Sequence, residues 1–123
     1  HFVVQGAYPT DLLEWMVREE GLITAEQAHY QLSRLPAHMC GMEDRGIIRE
    51  GAPADIVVYN PDTIRRTPSW DKMDKLYDLP AGGWRRTQRA EGLNYTLVNG
   101  VVTFEGLDCT GATPGELVLH GDN

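Results

Sequence analysis

The spacing of apolar residues changes partway along the chain, from a helical period to runs that read as strands. Phe2, Val3 and Val4 make a short β-prone start. Tyr8-Pro9-Thr10 is expected to break it, because proline holds the residue before it in an extended conformation. Leu12, Leu13, Met16 and Val17 then recur at helical spacing and form one stripe, with Trp15 and Arg18 off its centre. Thr10 reads as the N-cap, Asp11 sits well in the first turn, and Gly21 ends the helix. Thr24-Ala25-Glu26-Gln27 has the form of a capping box, and the second helix should bury Ala28, Leu32 and Leu35. Pro36 is placed to open a short third helix that Gly41 stops.

After Gly41 the helical period is gone. Arg45 to Pro53 is rich in turn residues, with room for a short strand at Ile47 and Ile48. Gly51-Ala52-Pro53 leads into Ile56 to Tyr59, a run apolar on both faces, which predicts burial between two layers. Residues 63 to 94 show weak periodicity and many charges; they are expected to form an extended loop with one helical turn near Asp71 to Leu76. Tyr95 to Phe104 contains two β-rich runs around Asn99-Gly100. Asn-Gly tolerates positive φ at both central positions and predicts a tight type I′ hairpin. A last strand is expected over Glu116 to Leu119. Helices first and strands later is the order of an α+β arrangement.

The 123 residues are one domain's worth and allow a modest core. A hydrophobic content of 41% with 24% charged residues is that of an ordinary globular chain. A formal net charge of -7 argues against a nucleic-acid partner. No apolar run approaches the roughly 20 residues that span a bilayer, so no membrane partner is expected. No signal-peptide pattern opens the chain, and it begins with His1, so processing or a longer parent is expected. Two distant cysteines, Cys40 and Cys109, make no disulfide framework; a reduced, cytoplasmic setting is expected.

Few residues invite a chemical reading. The histidines are His1, His29, His38 and His120, and no two have a metal-ligand spacing. His38 and Cys40 are the closest soft pair, but a zinc site needs two further ligands. As a nucleophilic pair they fail on geometry, since residues two apart on a helix diverge. Their expected role is packing. Trp84-Arg85-Arg86-Thr87-Gln88-Arg89 is a basic cluster. It is read as a solvated loop pairing with Asp71, Asp74 and Asp78, with anion binding or a subunit contact as the functional alternatives. Asp55 precedes a strand, where an acid caps a turn more often than it catalyses.

The wording of the strands carries more. Glu50-Gly51-Ala52-Pro53-Ala54-Asp55-Ile56-Val57-Val58-Tyr59, followed by Leu97-Val98-Asn99-Gly100, resembles the carboxy-terminal signature of the amidohydrolase superfamily, within the group containing N-acyl-D-amino-acid deacylases. Pro9-Thr10-Asp11-Leu12-Leu13, Val17-Arg18-Glu19-Glu20-Gly21, Leu35-Pro36-Ala37-His38, Asp44-Arg45-Gly46 and Thr110-Gly111-Ala112-Thr113-Pro114-Gly115 fit the same group. The resemblance implies that residues 1–50 are a helical segment from the end of a metal-dependent hydrolase (β/α) barrel. Residues 51–123 would be the β-rich carboxy-terminal part of a small flanking β-sandwich, with a long loop over 63–94. The implied parent activity is hydrolysis of non-peptide C–N bonds, with an N-acyl-D-amino acid or related amide as substrate. A divalent metal, zinc by preference, would activate water there.

The family's His-x-His pair is missing from this sequence, and its basic Asp would precede His1. The resemblance therefore implies no catalytic residue and no metal ligand in this chain, which should be inactive alone. It places His1, Phe2 and Tyr8 in the loop that follows the last barrel strand, where they would line the parent's substrate pocket. The implied partner is the rest of the barrel or further copies of the chain. The competing reading is a non-enzymatic, self-associating structural module.

Overall fold

The computed structural model describes residues 7–67 and 74–119. The first helix, α1, runs as Tyr8–Asp11 in α geometry and continues as Leu12–Glu19 in the wider π register. The N-cap expected at Thr10 is corrected: the cap position is Ala7, Pro9 lies in the first turn, and Thr10 is buried inside the helix. Proline's fixed φ suits a first helical turn, so Pro9 opens the helix here instead of breaking the chain before it. The π register closes on a bond from the Glu20 N–H to the Trp15 carbonyl, 2.9 Å. Leu12, Leu13, Met16 and Val17 are half-buried, and Trp15 is exposed, as the stripe predicted.

The second helix, α2, is continuous through Ala25–His29, the π-wound Tyr30–Arg34, and Leu35–Met39. Its capping box is formed: Gln27 N–H donates to Thr24 Oγ1 at 3.2 Å, and Thr24 N–H to Gln27 Oε1 at 2.9 Å. Ala28 is buried and Leu32 and Leu35 are half-buried. The short third helix expected from Pro36 is the α-wound stretch Leu35–Met39, with Pro36 in its first turn, and it runs on directly from the π-wound turn. Leu35 N–H reaches back to the Tyr30 carbonyl, and this widened turn admits the proline ring without a break. From α2, Arg34 donates to the carbonyls of Glu43 (2.9 Å) and Arg45 (3.2 Å), folding the following turn back onto the helix. Ile47 and Ile48 form no strand, and Ile48 is exposed.

The strands are β1 (Ile56–Tyr59), β2 (Arg65–Thr67), β3 (Asp74–Leu76), β4 (Arg85–Thr87), β5 (Arg89–Glu91), β6 (Leu93–Val98), β7 (Val101–Glu105) and β8 (Asp108–Cys109). The main sheet is antiparallel in the order β1-β6-β7-β8. Its hairpin turns at Asn99 (φ 47°) and Gly100 (φ 79°), the pair of positive φ values that a type I′ turn demands. The strand expected at Glu116 to Leu119 is absent. The sheet ends instead with β8, and Thr110 extends that pairing through its Oγ1, 2.8 Å from the Val102 carbonyl.

Residues 63–94 differ most from expectation. In place of a loop, β2 pairs with β5 and β3 with β4, making a two-stranded arm. The helical turn expected near Asp71 to Leu76 is a strand from Asp74 onward; 71–73 lie outside the described residues. Three-residue strands bearing charges on both sides leave no period to read. The ion pair Arg65–Glu91 joins opposite strands, with Arg65 Nε 2.6 Å from Glu91 Oε2. Gly92 closes the arm's base with φ +81°, and a Cβ there would lie 2.6 Å from the backbone nitrogen of buried Ile64.

Burial is thin. Among the described residues the buried apolar side chains are Ala7, Ala28 and Ile64. β1 was expected between two layers, yet Val57 is 54% and Val58 42% exposed, so the layers that would cover both faces are not supplied by these residues. Gly92→Ala should lower stability in urea unfolding by more than about 2 kcal/mol, since it combines a left-handed φ with a backbone clash. Gly111→Ala, with φ +81° but open space around it, should cost only about 1 kcal/mol. Equal losses would contradict the packing at Ile64.

Candidate functional site

An open cleft of about 730 Å³ lies between the helices and the first strand of the sheet. Leu13 and Leu32 line it from the helices, Ile56 and Val57 from β1, and Ile64 and Leu93 from the arm's base and β6. Its polar feature is a His–Tyr pair. His29, on α2, and Tyr59, at the end of β1, meet with Nε2 2.7 Å from Oη and ring centroids 5.7 Å apart. Burial pushes the Tyr59 phenol above its ordinary pKa, keeping it protonated. Such a pair can donate and accept one proton. Among the described residues no carboxylate and no nucleophile is hydrogen-bonded to the imidazole, so the triad logic of covalent catalysis is not met.

Asp55 also borders the cleft, but both its oxygens are engaged. Oδ1 accepts from Asn99 N–H at 2.9 Å, and Oδ2 lies 2.6 Å from Arg45 Nη1. The capping role expected for Asp55 is therefore what the geometry displays. A second polar group holds α1 to the arm. Arg66 Nη1 is 3.0 Å from Asp11 Oδ2, and Arg66 N–H donates to Glu14 Oε2 at 2.9 Å. Arg18 Nη1 donates to the carbonyls of Ile64 (2.5 Å) and Pro61 (3.2 Å).

Of the three residues read as substrate-binding, His1 and Phe2 lie outside the described residues. Tyr8 is the first residue of α1, is exposed, and lines the cleft. His38 does not join Cys40 in a metal site; its Nδ1 is 2.8 Å from Glu43 Oε1. Arg34 also bonds Glu43, and with His38 it holds that carboxyl below the usual range. Among the described residues no group of three or more His, Cys, Asp or Glu side chains could hold a metal ion. Cys40 and Cys109 are exposed thiols not joined by a disulfide. Of the basic cluster, Arg85 pairs with one of the expected acids: it grips Asp78 through Nε and Nη2 at 2.6–3.1 Å and lowers its pKa. The His29–Tyr59 contact was not legible in the sequence, because 30 residues and no motif separate its members.

The geometry thus defines a mixed helix-and-strand unit with an open, largely apolar cleft. The model of the amidohydrolase family matches residues 6–104, and the chain belongs to that family. It is 28% identical to an N-acyl-D-aspartate deacylase of Alcaligenes xylosoxydans xylosoxydans over 92% of its own length and 20% of that enzyme's. It is 35% identical to an N-acyl-D-glutamate deacylase of the same organism, over 77% of this chain and 17% of the relative. With a D-aminoacylase, again from that organism, identity is 27% over 94% of this chain and 21% of the relative. The chain therefore spans about a fifth of the length of these curated relatives. No solved structure matches. Among the described residues no helix is long and apolar enough to cross a membrane.

In an ultraviolet titration Tyr59, assigned by Tyr59→Phe, should ionise above the ordinary tyrosine value of about 10. Because its folded-state pKa is raised, its stabilising contribution is complete below the ordinary value and is lost as pH rises through the shifted one. Ionisation of Tyr59 at the ordinary value would contradict the cleft as described.

Proposed function

We propose that this chain is the carboxy-terminal part of a D-aminoacylase-like amidohydrolase, and that its contribution is structural. The observation that carries the reading is β1, an apolar strand whose middle residues Val57 and Val58 are exposed on its two faces. A barrel wall and further sandwich strands supplied by the rest of a longer polypeptide would cover those faces. The relatives' names support the reaction class: deacylation of N-acyl-D-amino acids, with acidic D-amino acids among the substrates.

In the whole enzyme a divalent metal, zinc by preference, would supply an activated water. The described residues of this chain do not fit such a metal, so its ligands and the catalytic carboxylate would come from upstream. What this chain would do is hold position. The Arg66–Asp11 and Arg18 contacts fix α1 against the arm, and α1 begins at Tyr8. Tyr8 would thereby be presented at the substrate pocket, where the family resemblance also puts His1 and Phe2. The exposed thiols suit a reducing, cytoplasmic setting.

The chain alone, offered N-acetyl-D-aspartate and N-acetyl-D-glutamate with zinc, should release no free amino acid. The same residues within the longer polypeptide should release it, and a chelator should abolish the release. Turnover by the isolated chain, or one zinc ion bound per chain, would overturn the reading.

A further inference from the structure

We propose that Asn99-Gly100, the turn of the β6–β7 hairpin, is a deamidation site that the native contacts hold shut, and that its conversion opens the turn irreversibly. The backbone nitrogen of the residue after an asparagine can attack the side-chain carbonyl carbon. Here the Gly100 nitrogen would bond to Asn99 Cγ, closing a succinimide ring. The Cγ–Nδ2 bond breaks, and the side-chain amide leaves as ammonia with the hydrogen from Gly100. Water then opens the ring at either carbonyl, giving aspartate or isoaspartate. Nothing is oxidised or reduced, and water is the one co-reactant. The chain has four asparagines, Asn60, Asn94, Asn99 and Asn123. Asn60 precedes Pro61, whose nitrogen carries no hydrogen. Asn94 lies in β6 and precedes Tyr95, whose side chain hinders the approach. Asn99 precedes a glycine, which has no side chain to obstruct attack and is exposed to water.

Three contacts oppose the reaction. Gly100 N–H donates to the Ala54 carbonyl at 2.9 Å, so the attacking nitrogen keeps its hydrogen. Asn99 Nδ2 donates to the Pro114 carbonyl at 2.9 Å, so the leaving amide is held. Asn99 N–H donates to Asp55 Oδ1 at 2.9 Å, which fixes the backbone of the turn. Attack therefore requires a local opening, and its rate follows the population of the opened form. Of the three bonds, the one to Asp55 ends on a charged group, and bonds of that kind are the strongest.

Once converted, the turn does not close again in the same way. Either product exchanges the Nδ2 donor for oxygen, so the Pro114 carbonyl loses that partner. Either product also adds a carboxylate in the turn that Asp55 holds, and like charges at such range repel. Isoaspartate further lengthens the backbone by one methylene. The turn has two residues, with φ of 47° and 79°, and the register of a hairpin depends on the length of its loop. One covalent change thus releases the hairpin from the start of β1. Deacylation plays no part in this, so the inference and the proposed function fail separately.

The test is peptide mass mapping of the chain after incubation in mildly alkaline buffer, with and without denaturing urea. Conversion is read as the amide-to-acid mass change in the peptide that holds Asn99. It should be at least about tenfold slower in the folded chain than in urea. Asp55→Ala, shown to be folded by circular dichroism, should raise the folded-state rate about tenfold, the factor set by a charged hydrogen bond at the low end of its range. Asn99→Asp mimics one product and should lose amide-exchange protection at Gly100. Adding Asp55→Asn, which removes one of the two charges, should restore part of that protection. Equal rates with and without urea would overturn the proposal, as would a folded Asp55→Ala that converts no faster than the native chain. The comparison in urea needs no variant and decides the matter if Asp55→Ala does not fold.

Discussion

The structure depends on one carboxylate. Asp55 stands between the Gly-Ala-Pro turn and β1 and accepts from Asn99 N–H, at the tip of the β6–β7 hairpin. Its other oxygen holds Arg45, whose own carbonyl is held by Arg34 from α2. Gly100 N–H donates to the Ala54 carbonyl at 2.9 Å, completing the contact between the two turns. A chain of three side chains thus runs from helix to loop to strand to hairpin, across a chain with little apolar core to do the same. A hydrogen bond to a charged group contributes about 1.5–3 kcal/mol. The Asp55 side chain is partly exposed, which places it toward the low end of that range through solvent screening.

This dependence explains what the sequence allowed to be read. Local chemistry was legible wherever the backbone itself demanded a residue. The Thr24–Gln27 capping box, the end of α2 at Gly41, the Asn99-Gly100 turn and the bounds of β1 all follow from such demands. Pro9 misled because proline ends one kind of segment and begins another, and only the following turn decides. Pro36 does open the short helix expected of it, but a π-wound turn before it joins that helix to the preceding one. The arm over 63–94 was illegible because its strands are three residues long and held by cross-strand ion pairs that no periodicity announces. Likewise the cleft, with His29 on a helix and Tyr59 on a strand, exists only after tertiary folding.

Membership of the amidohydrolase family and the thinness of the core bear on each other. A strand such as Ile56-Val57-Val58-Tyr59 is written for two covered faces, and here both middle valines meet solvent. The side chains that are well tied, Asp55, Arg34, Arg66 and Arg18, join segments of this chain to one another. Val57 and Val58, by contrast, stay exposed. The division separates what the chain does for itself from what it offers to other surfaces.

The most direct measurement is amide hydrogen exchange at Asn99 and Gly100, in the native chain and in Asp55→Ala. If Asp55 joins the helical and strand regions, both amides are protected in the native chain, and the substitution frees them while loosening β1 from β6. Undiminished protection in Asp55→Ala would mean that the sheet holds its hairpin unaided and that the carboxylate is not the constraint on which the fold depends.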